Sequence, residues 1–195
     1  MVLICLGLIV GFLVAWAATS NRPMYEGSSQ LACTLTSLAT GTTRESATKS
    51  NPSTTGDFDW LVSLTFTLAS GSPSTAGPAV NLYVGASVDG TSRWPIIQLS
   101  SGATKTTGAG DASIGALGTP SNLYWLGTFG LQTTTSSGER TFRTNPYSVA
   151  KAVGYSMPPA FSIFVENQSG VAFSASTATT AQYLEINGIY SSSGN

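Results

Sequence analysis

A chain of 195 residues with 9% charged side chains and a formal net charge of -1 has room for one domain and little electrostatic reach. Its eight Lys and Arg are scattered, Arg140 and Arg143 being the closest pair of arginines, so no cationic patch exists to displace counterions from phosphates, which argues against a nucleic-acid partner. The absence of histidine removes the commonest general base and the commonest zinc ligand.

Residues 1–20 open the chain with an uncharged apolar run, Val2 to Ala18. Three readings stand side by side: a signal segment with Ala15-Trp16-Ala17 as a small-residue cleavage pattern, a membrane anchor, or an arm that inserts into a partner or a second copy. Cys5 lies in this run and Cys33 beyond it; contexts so different favour two reduced thiols over a bridge.

Residues 21–30 are polar and read as a connector, followed by a single domain over residues 31–191 and a short tail at 192–195. Leu31 to Leu38 alternates and is expected as the domain's first strand, and the Thr-, Ser- and Asn-rich run from Ala39 to Gly56 as a long surface loop. Phe58 to Leu68 gives the strongest strand pattern. Phe58, Trp60, Val62, Leu64, Phe66 and Leu68 share one face, and a slip of one residue would expose them all.

Val80, Leu82, Val84 and Ala86 alternate with Asn81, Tyr83, Gly85 and Ser87, predicting a strand with one buried face. Asp89-Gly90 supplies a positive-φ turn, and Pro95 to Leu99 a short strand. Ser100 to Ser121 is small and unpatterned and is expected as an exposed loop that carries partner contacts or moves. Leu123 to Leu131 is strand-like, with glycines that mark a bulge or a close backbone approach. Further extended runs follow at Arg140 to Val149, Phe161 to Asn167, Val171 to Ser174 and Gln182 to Tyr190. The predicted fold is therefore all-β: an antiparallel β-sandwich, best matched by a jelly roll, behind an extra apolar N-terminal segment.

The chemistry-bearing groups are few. Asp57 and Asp59 lie two apart and form a candidate calcium pair, against the simpler reading of strand-edge charges. Glu166 and Glu185 fall on two late strands, where they are candidate neighbours, although a glycosidase needs its carboxylates facing across a cleft. Tyr83, Tyr124, Trp125, Tyr147 and Tyr155 are candidate sugar-stacking aromatics, with packing as the competing role. No catalytic, cofactor or metal residue is assigned, and no enzyme activity or cofactor is expected.

Several blocks in order carry a resemblance. Thr42-Thr43-Arg44-Glu45-Ser46 precedes a strand opening on Asp59-Trp60-Leu61-Val62, and Asn81-Leu82-Tyr83-Val84-Gly85-Ala86-Ser87-Val88-Asp89-Gly90-Thr91 follows. Pro146-Tyr147-Ser148-Val149, Met157-Pro158-Pro159-Ala160-Phe161, Val165-Glu166-Asn167-Gln168-Ser169-Gly170-Val171-Ala172 and Gly188-Ile189-Tyr190 complete the set. Over Leu31 to Tyr190 the chain resembles small jelly-roll structural proteins of tailed-bacteriophage capsids, including cement or decoration proteins. The resemblance implies a non-enzymatic virion protein on the outer capsid surface, with the major capsid protein and its own copies, as dimer or trimer, for partners. The alternative is a secreted or membrane-anchored β-sandwich module that binds carbohydrate, with the N-terminal segment as its membrane contact.

Overall fold

In this computed structural model the described residues are 22–51, 56–73, 77–118, 122–132, 138–177 and 181–192. The apolar run Val2 to Ala18, with Cys5 and the tail 193–195, lies outside them. No helix among the described residues is long and apolar enough to cross a membrane.

Two antiparallel sheets form the body. The first contains β1 (Arg22–Tyr25), β2 (Ser29–Leu31), β5 (Asp59–Leu68), β11 (Arg140–Arg143), β12 (Tyr147–Ser148) and β14 (Tyr183–Ser192). Its order is β1-β14-β5-β11, with β2 also on β14 and β12 also on β5. The second contains β3 (Thr42–Glu45), β4 (Lys49–Ser50), β6 (Ala79–Ser87), β9 (Ala112–Gly115), β10 (Tyr124–Gly130) and β13 (Ala160–Gln168). Its order is β10-β6-β13-β3-β9, with β4 also on β13. A separate hairpin pairs β7 (Ile96–Gln98) with β8 (Thr104–Thr106), and a single helical turn, α1 (Val149–Ala152), follows β12.

The sheets pack face to face because the alternating strands place large apolar groups between them. Trp60, Val62, Leu64, Phe66 and Leu68 of β5 are buried with Leu184 and Ile186 of β14, opposite Val80, Leu82 and Val84 of β6 and Phe161, Ile163 and Val165 of β13. Phe66 stacks on Phe142 and Phe173 and meets Phe129 edge-on, so one side chain touches both sheets. The expected face of Phe58 to Leu68 is therefore observed, except that Phe58 itself is 51% exposed because it precedes the paired strand.

A second apolar cluster lies on the outer face of the second sheet. Ile97 of β7 and Ile114 of β9 cover Phe164 of β13, with Tyr83, Leu99, Leu117 and Leu123 packed around them. Segment 96–118 is thus a structured cover in place of the unpatterned loop expected over Ser100 to Ser121; Ser100 to Thr104 are exposed as expected, and 119–121 lie outside the described residues. The cover holds β8 and β9, and β9 pairs with β3.

Three other expectations change. The connector 21–30 contains β1 and β2, both hydrogen-bonded to β14, so among the described residues the sheet extends back to Arg22. Leu31 to Leu38 is not a strand beyond Leu31; Leu35 and Leu38 are buried in turns that plug the core. The run Ala39 to Gly56 carries β3 and β4, with Thr43 and Glu45 fully buried, because backbone pairing to β13 outweighs its polar composition. The Asp89-Gly90 turn is as expected: Gly90 has φ 79°, and Asp89 Oδ1 accepts from the amides of Thr91, Ser92 and Arg93.

Candidate functional site

The carboxylates come first, since catalysis without histidine would need them. Asp59 Oδ1 accepts from the amides of Trp60 (2.7 Å) and Ala150 (2.8 Å), and its Oδ2 accepts from Ser148 Oγ at 2.6 Å. Ser148 Oγ in turn accepts from Lys151 N, so Asp59 and Ser148 together anchor the start of α1. Asp57 is buried elsewhere, against Gly188, where a Cβ would sit 2.8 Å from its carboxylate. Burial and then Glu26 raise the Asp57 carboxyl above its ordinary range. The two aspartates therefore form no calcium pair: one is spent on a helix start and the other is sealed at a strand crossing. Among the described residues no group of three or more His, Cys, Asp or Glu is placed to hold a metal ion.

Glu166 and Glu185 are also separated, lying on β13 of the second sheet and β14 of the first. Glu185 pairs with Arg143 at 2.5 Å. Glu166 Oε2 accepts from Asn81 Nδ2 (2.9 Å) and Tyr83 OH (3.0 Å), and its Oε1 from Gln168 Nε2 (3.0 Å). Three donors thus hold this carboxylate in place within the second sheet. Glu45 accepts from Gly108 N (2.6 Å) and Ser162 Oγ (2.9 Å) on Oε1, while its Oε2 is buried without a partner. Cys33 is free, and burial followed by Asp111 pushes its thiol pKa up, which makes it a poor nucleophile.

The aromatics divide. Tyr83 is half-buried beside the cover, and burial and Glu166 raise its hydroxyl pKa. Tyr155 is 79% exposed just past α1 at φ 68°. Tyr124 lines a recess with Arg93, Trp94 and Asn122. Trp125 and Tyr147 are brought together.

They meet where the outer strand of the second sheet, β10, faces β12 and α1. The pairing of β10 with β6 slips between Trp125 and Gly127, an irregularity that re-aims the side chains around it. Gly127 then lets the Tyr147 ring lie against the strand; a Cβ there would stand 2.3 Å from the ring. Tyr147 OH donates to the Thr128 carbonyl at 3.2 Å. Trp125, 63% exposed, donates from Nε1 to Thr128 Oγ1 (3.3 Å), which donates to Asn81 Oδ1 at 2.7 Å. That chain continues through Asn81 to Glu166, so the indole is braced across three strands.

The result is a groove of about 750 Å³ lined by Trp125, Tyr147, Leu61, Leu126 and, from α1, Lys151. Its volume lies in the range of ligand-sized clefts. Strand glycines in Leu123 to Leu131 did signal the bulge and the close approach. Lys151 and Thr128 carried no sequence signal, because only the apposition of β10 with α1 gives them a shared site. The chain matches no family model, no curated protein and no solved structure.

Proposed function

We propose that this chain is a non-enzymatic structural protein of a virion, a cement or decoration protein that binds the outer face of a capsid shell and holds neighbouring subunits together. The observation that carries this reading is strand order. Taking β1 with β2, β3 with β4 and β11 with β12, and setting the cover β7 to β9 apart, leaves eight successive strands. Their order is 1-8-3-6 in one sheet and 2-7-4-5 in the other. That interleaving is what two Greek keys of a jelly roll would give, and it supports the resemblance carried by the sequence blocks.

Surface chemistry supports binding over turnover. Asp59, Glu45, Glu166 and Glu185 serve as acceptors or ion-pair partners within the fold. Large apolar side chains stay exposed on the first sheet: Met24 (42%) and Tyr25 (61%) on edge strand β1, and Phe58 (51%) just before β5. Exposed apolar groups of this kind suit burial against a shell protein or a symmetry-related copy. Repetition over a shell then turns modest affinity per contact into avidity.

The test is virion stability. Particles assembled without the protein should release their genome at a lower temperature than complete particles, and added protein should restore them. Equal heat resistance with and without it would overturn the reading, as would its absence from purified virions by mass spectrometry.

A further inference from the structure

The groove beside Trp125 is more than an unfilled seam. Its indole is largely exposed, yet it is held by a hydrogen-bond chain running Trp125, Thr128, Asn81, Glu166 across β10, β6 and β13. A residue serving only as surface cover would not need such bracing; a ring that must present one face reproducibly does. Tyr147 supplies a second aromatic, fixed by the Gly127 gap and by its bond to the Thr128 carbonyl.

Charge narrows the ligand. Among the residues lining the groove there is one cation, Lys151, and no carboxylate. Asp59, the nearest acid along the chain, is turned to Ser148 and two backbone amides. A local excess of one positive charge in a chain of net charge -1 is complementary to an anion. The exposed aromatic face calls for a ligand with flat C–H surfaces, and the hydroxyl and carbonyl groups around it for a ligand rich in hydroxyls.

We infer that this groove binds an acidic saccharide, with a sugar ring stacked on Trp125 and its carboxylate at Lys151. This inference is independent of the capsid reading, since a shell protein and an exported module could each carry such a site.

The experiment is affinity electrophoresis of the full chain through gels containing polygalacturonate or alginate, with dextran as the neutral arm. Retardation by an acidic polymer and little by dextran is expected. Trp125→Ala should weaken the acidic interaction about tenfold, as loss of a stacking contact of about 1.4 kcal/mol would. Lys151→Gln should remove the preference for acidic over neutral polymer. Tyr124→Ala, altering an exposed aromatic that lines the separate recess, should change nothing. Thermal unfolding checks that each variant is folded. No retardation by either acidic polymer overturns the inference, as does retention unchanged by Trp125→Ala. Equal retention by dextran, insensitive to Lys151→Gln, overturns the acidic assignment. None of these outcomes bears on virion stability, so this inference and the capsid reading fail separately.

Discussion

The two faces of the second sheet are both buried over β13, yet they are built in different ways. The inner face is mainly apolar: Phe161, Ile163 and Val165 meet the first sheet, and the buried Asn167 brings an amide only at the end of the strand. On the outer face, Phe164 shares its shelter with Ser162 and Glu45, and the cover is a Gly- and Thr-rich segment held by β9, by Gly108 on Glu45 and by the Arg44–Asp111 pair. Gly108, at φ 81°, leaves room for the Trp94 ring, which a Cβ would approach to 2.4 Å. The inner face is held by area removed from water, the outer one by a few polar ties over a small apolar cluster. The inner face should therefore set global stability, while the outer face should open locally first.

The sharpest test pairs two neighbours on one strand. Phe161→Ala should cost about 3–5 kcal/mol in urea unfolding, because it empties a packed site facing Trp60 across the sheets. Phe164→Ala should instead release the cover, raising hydrogen exchange in β7 to β9 well before the sandwich unfolds. Simultaneous exchange of both regions in Phe164→Ala would mean that the faces form one cooperative unit.

A smaller loss is expected from Glu45→Ala, about 1–3 kcal/mol, since it strands the part-buried Gly108 N–H and the buried Ser162 hydroxyl. Deleting 102–110 should act in the same direction, because it removes β8 and the Gly108 donor, and it should not be silent as a free loop would be. Gly127→Ala should cost about 1–3 kcal/mol and displace Tyr147, seen as a shifted tyrosine ring signal by NMR.

The pH response should separate the ties. Burial, opposed by Gly108, Ser162 and Lys105, raises the Glu45 carboxyl above its ordinary range. The folded state then holds that proton more tightly than the unfolded chain. The contribution is complete below the unfolded pKa and is lost as pH rises through the folded one. Asp111 behaves oppositely: burial pushes it up, but Arg44 and Thr34 hold it below the ordinary range, so its contribution is lost as pH falls through the folded pKa. Glu45→Gln should flatten the decline of stability with rising pH, and Asp111→Asn the loss at acid pH, both read from urea midpoints. The smallest effect belongs to Trp125→Ala, within about 0.5 kcal/mol, since an exposed ring contributes little to folding.

The sequence by itself determined much of the sandwich interior, because period-two alternation in 58–68 and 80–87 reports which side chains lie between sheets, whereas in 161–167 Phe164 breaks the alternation and lies under the cover. It also marked the irregularity at Gly127, since a glycine inside a strand has few other uses. Tertiary structure alone decided the rest. Thr42 to Glu45 reads as loop by composition and becomes a buried strand only because β13 and β9 flank it. The contacts that fix the cover join residues far apart in the chain, Glu45 with Gly108 and Arg44 with Asp111, and no local pattern encodes such pairs. The groove has the same origin. Trp125 and Tyr147 stand out in the sequence only as two of five candidate aromatics and Lys151 not at all, and the three share a site only where β10 meets α1.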